Sequence, residues 1–424
     1  MRNLTVLVCV LALQCGRGEL PAPSASSADL ERPEGDSRLK TGLWRVVLAS
    51  PGGDLPFSME VSQEGEGYRA WVLNGEERVL LDRVGLEGDD EVVFGISHYE
   101  SYFHGRFNAE GDRIEGEWRK VAGPEKTARL PFYAQYGRSE RFIPARAEMT
   151  VHIGGRWAVT FDNSGGEPQE AVAEFRQEGS RLTGTFLTTT GDYRYLEGMV
   201  DGSHFYLSCF DGGHAFLFKG RVEAGGGLSG DFWSRDSWHE GWQAKRDEDA
   251  ALPDPFGLTA LKDGLQQFRF SFPDLEGNIQ NQDAPFLQGK VRLITIFGSW
   301  CPNCNDEAPF LQGLYDTYKD RGFQVLGLAF EMTEDRERGV RVLKRFQKRH
   351  GINYPILLAG GTTDKAENLA ALPDLTRLLA YPTTVLIDRE GKVAAIHTGF
   401  SGPGTGPHFE LLKARYQEKI EALL

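Results

Sequence analysis

The chain has 424 residues, with 47 Lys and Arg against 61 Asp and Glu, and its formal net charge is −14. This length exceeds what one ordinary hydrophobic core accommodates, so two or three domains are expected. Because the chain is acidic, nucleic acid and anionic membrane surfaces are unsuitable partners, and we expect binding to neither.

The N-terminal residues 1–15 have the pattern of a bacterial export signal. A positive residue precedes the apolar segment 4–13, which is too short to span a bilayer as a mature helix. Residues 11–15 resemble a lipoprotein cleavage box ending at Cys15, although Gln14 stands where such boxes usually have a small residue. The sequence therefore predicts an exported cell-envelope protein of the periplasm, with either lipidation at Cys15 or simple cleavage and release.

Residues 16–40 are rich in Pro, Ala, Ser and charged residues and contain few apolar ones, which predicts a flexible tether. Gly16, directly after the cysteine, favours transport to the outer membrane. A lipid anchor followed by this tether would be the protein's only contact with a membrane.

Residues 41–143 and 150–246 are two copies of one repeat. Shared motifs recur at an offset of about 114 residues, as between the Gln-Glu-Gly triplets that begin at Gln63 and Gln177. Short alternating runs separated by Asn-Gly and Asp-Gly turns predict about seven antiparallel strands per copy, in a sandwich or barrel. We expect the aromatic residues of this region to pack in its cores, and no function follows from the repeat itself.

Residues 247–266 are acidic and Pro-containing, which predicts a linker, and residues 267–424 alternate predicted strands with predicted helices. This alternation is typical of an α/β layered domain. We expect Phe268–Phe272 to add a strand to its sheet, and a helical stretch to run as far as Ala380.

The most informative stretch is Trp300-Cys301-Pro302-Asn303-Cys304, between a predicted buried strand at 291–297 and a predicted helix at 307–319. The first sulfur then lies at a helix N-terminus, where backbone N–H groups and the helix dipole favour a thiolate. The second thiol can attack a mixed disulfide formed by the first. The pattern therefore predicts a reversible dithiol–disulfide pair, Cys301–Cys304.

Other uses of these cysteines fit the sequence less well. A zinc site needs about four ligands, and no second cysteine pair is present. Covalent haem attachment needs a histidine where Asn305 stands, and a structural disulfide would not need the flanking Trp and Pro. We expect no metal and no cofactor, and we expect Cys209, in a strand pattern, to be a buried inert thiol.

Further motifs surround the pair: Phe297-Gly298-Ser299-Trp300-Cys301-Pro302-Asn303-Cys304, Glu307-Ala308-Pro309, Tyr381-Pro382-Thr383-Thr384, Val385-Leu386-Ile387-Asp388-Arg389-Glu390-Gly391-Lys392-Val393 and His397-Thr398-Gly399-Phe400. Together they resemble the TlpA/ResA-type thiol-disulfide oxidoreductases of the thioredoxin superfamily. The resemblance covers about residues 267–424, and it implies a C-terminal thioredoxin-like domain after the all-β region.

The resemblance also implies roles for individual residues. Cys301 would be the exposed attacking sulfur, and Cys304 would resolve the mixed disulfide. Pro382 matches the family's cis-proline, which exposes the preceding backbone to a substrate strand, and Tyr381 would flank that groove. Trp300 would shield the pair.

Glu307 matches the family's acidic residue three positions after the second cysteine. It would tune a thiol pKa or relay a proton, or it is a first-turn carboxylate stabilised by the helix dipole. These alternatives remain open from the sequence.

The predicted function is extracytoplasmic thiol-disulfide exchange, with a reductant role on protein thiols and a membrane electron donor implied by the resemblance. One alternative is a partner-binding module with an accessory redox domain. Another is a peroxiredoxin-like peroxidase, although 294–301 lacks the proline that a peroxidatic loop requires. We expect residues 267–424 to hold all thiol activity and the β-region to fold separately and serve protein partners.

Overall fold

The computed structural model describes residues 38–123, 125–143, 151–162 and 166–424. The predicted export signal, Cys15 and most of the predicted tether lie outside these residues. From Arg38 to Leu424 the chain forms one compact unit. The predicted fold class, an all-β duplicated region followed by a thioredoxin-like α/β domain, is confirmed.

The first repeat is a nine-stranded antiparallel sheet in the order β4-β3-β2-β1-β9-β8-β7-β6-β5. Its strands are β1 Gly42–Ser50, β2 Gly53–Glu64, β3 Gly67–Asn74, β4 Glu77–Leu81, β5 Arg83–Glu87, β6 Glu91–Ile96, β7 Ser101–Phe107, β8 Arg113–Val121 and β9 Thr127–Tyr136. The two outermost strands, β4 and β5, are separated in the chain by Asp82 alone. The sheet therefore curls back on itself into a barrel-like shape around an apolar core.

The second repeat closes fully. Its strands are β10 Gly155–Phe161, β11 Gln169–Glu178, β12 Arg181–Thr188, β13 Gly191–Asp192, β14 Leu196–Asp201, β15 His204–Phe210, β16 Ala215–Val222, β17 Leu228–Ser234 and β18 Trp238–Arg246. The order is β11-β10-β18-β17-β16-β15-β14-β12-β13, and an additional pairing of β11 with β12 closes the ring. Within the described ranges each repeat thus has nine strands, more than the roughly seven expected, because strands as short as β4, β5 and β13 leave little alternation in the sequence.

The two repeats share a core. Phe210, at the end of β15, is fully buried in the first repeat's apolar cluster. Its ring stacks on Phe57 at 4.6 Å and meets the rings of Phe103 at 5.2 Å and Trp118 at 5.5 Å. Arg141, which follows the first repeat, donates to the backbone oxygen atoms of Leu73 at 2.6 Å and Ser208 at 3.1 Å. The repeats therefore pack together through a shared core rather than as two separate barrels.

The C-terminal domain has a five-stranded sheet in the order β23-β22-β21-β24-β25, with helices packed against it. A two-stranded hairpin of β19 Ser271–Pro273 and β20 Ile279–Asn281 precedes the sheet. The remaining elements are β21 Val291–Phe297, α1 Pro302–Tyr318, β22 Phe323–Phe330, α2 Arg336–His350, β23 Ile356–Gly360, α3 Lys365–Ala370, β24 Thr383–Ile387, β25 Val393–Thr398 and α4 Pro407–Glu421. Strands β21, β22 and β23 are parallel, whereas β24 and β25 pair antiparallel.

Two local predictions were wrong. Phe268–Phe272 does not join the main sheet, because Ser271 and Phe272 pair with β20 in the separate hairpin. The predicted helix up to Ala380 is only the short α3, which ends at Ala370. Leu372, Leu375 and Leu378 are buried without helical structure, so their apolar spacing reflects core packing.

Candidate active site

The two cysteines lie where the buried strand β21 gives way to α1. Cys301 is the N-cap residue of α1 in an extended conformation, and Cys304 lies in its first turn. Both are free thiols. The Cys301 thiol donates to the backbone oxygen of Tyr381 at 3.3 Å. Burial and the hydrogen bond with Cys301 raise the pKa of the Cys304 thiol well above its usual range, so Cys304 is protonated at neutral pH.

Pro382 follows Tyr381, whose carbonyl accepts the hydrogen bond from the Cys301 thiol. The Tyr381–Pro382 peptide bond is cis. The Pro382 carbonyl accepts from the backbone N–H of Gly399 at 2.9 Å, which fixes the loop before β24 to the end of β25. The Tyr381 hydroxyl accepts from the side-chain amide of Asn368 at 2.6 Å.

Trp300 packs against this proline loop. Its indole N–H donates to the backbone oxygen of Phe330 at 2.8 Å, and its ring meets the Tyr381 ring edge-on at 5.5 Å. The indole fits only because residue 298 is Gly: a Cβ there would lie 2.3 Å from the indole nitrogen. The ring is therefore held in one position over the cysteine loop.

Glu307 is buried, with 2% of its surface exposed, and it points to the sheet rather than to solvent. The Thr295 hydroxyl on β21 donates to its carboxyl group at 2.7 Å. The other carboxyl oxygen has no hydrogen-bond partner within the described part of the chain. Burial raises the pKa of Glu307 to about 8, so this carboxyl group holds a proton near neutral pH.

Two further polar residues, for which the sequence motifs predicted no such role, support the loop. Glu331 accepts from the Ser299 N–H at 2.9 Å and from its hydroxyl at 2.7 Å, and burial raises its pKa to about 7. The Asn305 amide donates to the backbone oxygens of Ser299 and Cys301, both at 2.9 Å. Glu331 had one available signal: it follows β22, whose carboxyl end meets that of the parallel β21 at the same sheet edge.

The expectation that Cys301 is exposed was wrong, and the second repeat lies against the two residues that follow it, Pro302 and Asn303. Only 8% of Cys301 is exposed. Two segments of the second repeat, 188–194 and 211–214, lie on the cysteine loop, and we call them the covering loops. A Cβ on Gly213 would lie 2.5 Å from Pro302 Cγ, and a Cβ on Gly191 would lie 1.8 Å from Asn303 Nδ2.

The first repeat reaches the same place. Tyr99 is buried, and its ring lies 3.4 Å from the Cβ position of Gly213, which itself touches Pro302. Lys120 on β8 donates to the Tyr99 carbonyl at 3.4 Å. Burial lowers the pKa of Lys120 to about 7, which marks this junction as a dry environment.

Other predicted features lie elsewhere. Cys209 on β15 is fully buried, and burial raises its pKa well above the usual range. In the described ranges, no group of three or more His, Cys, Asp or Glu side chains is arranged to hold a metal ion. None of the helices within those ranges is both long and apolar enough to cross a bilayer.

Comparisons with known proteins match the C-terminal domain. A sequence-family model described as Redoxin matches residues 262–410. The thiol-disulfide oxidoreductase ResA of Halalkalibacterium halodurans is 30% identical over 136 residues, which cover 32% of this chain and 68% of that relative. ResA of Bacillus subtilis is 28% identical over 144 residues, covering 34% and 71% respectively.

Solved structures match the same part of the chain. A thiol-disulfide oxidoreductase from Bacteroides fragilis is 21% identical, with a TM-score of 0.27, and the match covers 35% of this chain and 99% of that one. A thioredoxin-family thiol:disulfide interchange protein from Chlorobium tepidum is 22% identical, with a TM-score of 0.28, and covers 41% and 98%.

The raised pKa of Glu307 predicts a pH-dependent stability. An unfolded glutamate has a pKa of about 4.3, so from about pH 4.3 to about pH 8 only the folded chain keeps this proton. The free energy of unfolding should therefore fall as pH rises through this window, by up to about 1.4 kcal/mol per pH unit from this group. Glu307→Gln should remove that contribution, as measured by urea unfolding at pH 5, 6.5 and 8.

Glu390→Gln is the matched control, because Glu390 is an exposed turn residue and its change should leave the slope as in the wild type. The assignment fails if Glu307→Gln retains the full wild-type dependence of unfolding free energy on pH.

Proposed function

We propose that Cys301 and Cys304 are the redox pair of this chain, which belongs through its C-terminal region to the ResA family of thiol-disulfide oxidoreductases. The chain is thus a thioredoxin-like oxidoreductase. The observation that carries the assignment is the pair of free thiols at the start of α1, with the Cys301 sulfur 3.3 Å from the carbonyl that precedes a cis-proline.

The proposed reaction has two exchanges. The Cys301 thiolate attacks a substrate disulfide; the substrate S–S bond breaks, one substrate sulfur leaves as a thiolate, and the other forms a mixed disulfide with Cys301. Cys304 then loses its proton and attacks the Cys301 sulfur, which releases the second substrate thiol. The substrate gains two electrons and two protons, and the chain is left with a Cys301–Cys304 disulfide.

The environment supports this order of attack. Cys301 is the N-cap residue of α1 and lies at the cis-proline loop, whereas Cys304 is a buried thiol with a raised pKa, which disfavours Cys304 as the first nucleophile. We assign to Glu307 the exchange of a proton with Cys304 through water, because a buried carboxyl with a pKa of about 8 exchanges protons readily near neutral pH. Trp300 and Tyr381 are assigned as the walls that hold the substrate sulfur in line.

The direction of electron flow is proposed to be reductive, from the Cys301–Cys304 dithiol to substrate disulfides that become thiols, with a membrane electron donor that returns two electrons to the Cys301–Cys304 disulfide. The support is the likeness to the ResA relatives. The reduction potential of the pair tests it: a value near that of thioredoxin, about −270 mV, is expected, and a value near that of DsbA, about −120 mV, would mean that the chain is an oxidant.

Replacement of each cysteine should separate their roles. Cys301→Ser should abolish reduction of a small disulfide, because the attacking sulfur is gone. Cys304→Ser should accumulate mixed disulfides that dithiothreitol reverses, because the resolving thiol is gone. Mass spectrometry of the chain after incubation with substrate measures both outcomes.

Cys209→Ala is the control, because that thiol is fully buried in β15 and its loss should leave exchange unchanged. Adducts on Cys304 in the Cys301→Ser variant, with none in the Cys304→Ser variant, would reverse the assignment.

We further propose an extracytoplasmic location with a lipid at Cys15, on the strength of the N-terminal sequence. Mature protein should then partition into detergent in a two-phase extraction, and Cys15→Ala should move it to the aqueous phase. Wild-type protein found entirely in the aqueous phase would mean that Gln14 prevents lipidation.

A further inference from the structure

The covering loops occupy space that a protein substrate needs. A polypeptide disulfide reaches a thioredoxin-like sulfur by laying extended backbone beside the cis-proline loop. Here Gly399, which is hydrogen-bonded to Pro382, lies against Thr190: a Cβ on Gly399 would be 2.9 Å from the Thr190 carbonyl. With Gly191 and Gly213 on the cysteine loop itself, the covering loops meet both sides of the reactive sulfur.

One residue of the covering loops joins all three parts of the fold. Arg194 is buried, and its guanidinium forms an ion pair with Asp306 of α1 at 2.5 Å. It also pairs with Glu77 of the first repeat and with Asp211 of the second repeat, the latter at 3.0 Å. A further contact joins it to the carbonyl of Pro302 at 3.5 Å.

The backbone around Arg194 is fixed by the same loop. Arg194 has a φ of 59°, in the left-handed region, and its N–H donates to Asp192 at 2.7 Å. The other oxygen of Asp192 accepts from the Gly402 N–H, in the loop after β25, at 2.6 Å. Asp192 thus joins the backbone of Arg194 to the loop after β25, and this contact holds the guanidinium towards the first turn of α1.

The charge balance of this cluster makes its guanidinium necessary. Three carboxyl groups share one cation: burial raises the pKa of Asp306, and Arg194 opposes that rise and so favours the ionised carboxylate. Without the cation, Glu77 and Asp211 would face Asp306 across the junction and repel it. The free energy of a buried ion cluster is close to that of the same charges separated and solvated, because the cost of desolvation offsets their attraction. This contact can therefore hold the loops against the C-terminal domain and still open.

Other ion pairs also join the repeats to the C-terminal domain. Arg338 of α2 pairs with Glu100 at 2.6 Å, and His408 of α4 lies 2.9 Å from Glu174. Partly exposed contacts of this kind are usually weak. Within the described residues, Arg194 is the cation that ties the repeats to the first turn of α1.

We propose that Arg194 is a specificity-determining residue, which holds the covering loops on Cys301 and so excludes protein disulfides while small-molecule disulfides retain access. The proposal rests on the proposed function of the Cys301–Cys304 pair. Its substrate class is a disulfide small enough to reach the sulfur of a cysteine residue that is only 8% exposed. Protein disulfides react only when the loops move away from the cysteine loop.

The test compares two substrates in the full-length reduced chain. The ratio of the rate with insulin to the rate with 2-hydroxyethyl disulfide is measured for wild type, Arg194→Gln and Gly213→Ala. Arg194→Gln removes the cation, and Gly213→Ala places a methyl group 2.5 Å from Pro302 Cγ, which pushes the loops away without a change of charge. Both should raise the ratio about tenfold, within the range by which such couplings change an equilibrium.

Matched controls separate this effect from general loosening. Arg181→Gln removes an exposed cation of β12 that pairs with Glu197 inside the second repeat, and Gly85→Ala adds a methyl group where nothing lies within 4 Å. Both control variants should keep the wild-type ratio of the two rates. Arg194→Lys, which keeps the charge, should give a ratio between those of the wild type and Arg194→Gln. A wild-type ratio in folded Arg194→Gln and Gly213→Ala, or an equal rise in the controls, would overturn the proposal.

A second readout does not depend on turnover. Labelling of Cys301 by N-ethylmaleimide and by a polyethylene-glycol maleimide of about 5 kDa is followed by mass spectrometry of its peptide. In the wild type, the bulky reagent should label Cys301 more slowly than the small reagent does. The labelling rate of the bulky reagent, relative to that of the small one, should rise in both variants. If no chain reduces the small disulfide, the proposed function fails, while unchanged relative labelling would contradict the role of Arg194 separately.

Discussion

The guanidinium of Arg194 meets carboxylates from both β-repeats and from the helix that starts at the redox pair. A buried cluster of this kind contributes little net stability, but it permits few arrangements, because any misplaced charge is left without a partner. The position of the repeats on the cysteine loop depends on this constraint. The shared core around Phe210 joins the two repeats, so the contact at Arg194 bears on the position of both.

Burial sets the chemistry of the site. Glu307 and Glu331 have raised pKa values because they are buried, and the Cys304 thiol is protonated for the same reason. Cys301 differs from these groups in its place at the helix N-terminus. Position on the helix therefore distinguishes the two thiols: Cys301 is the N-cap residue, and Cys304, which is protonated at neutral pH, needs a proton acceptor before it can resolve the mixed disulfide.

Local sequence patterns predicted the redox domain well, because a buried strand, a Cys-x-x-Cys turn and a helix follow one another in the chain. The comparisons confirm both the predicted fold class of this domain and its likeness to the ResA relatives. The contacts of Arg194 were not predictable: its partners Asp306 and Glu77 lie 112 and 117 residues away, and its own segment has the pattern of an ordinary hairpin turn. Short strands such as β4 and β5 were missed because five residues show little alternation.

The contact between the covering loops and the cysteine loop was also not predictable from the sequence, since a close approach between two glycines and a distant loop leaves no local pattern. Amide hydrogen exchange in sub-denaturing urea tests it most directly. One opening exposes both surfaces, so peptides spanning 188–194 and 299–306 should exchange at one rate with one urea dependence, below that of global unfolding. Independent exchange of the two peptides, with 188–194 unprotected in the native chain, would contradict a β-region seated on the redox pair.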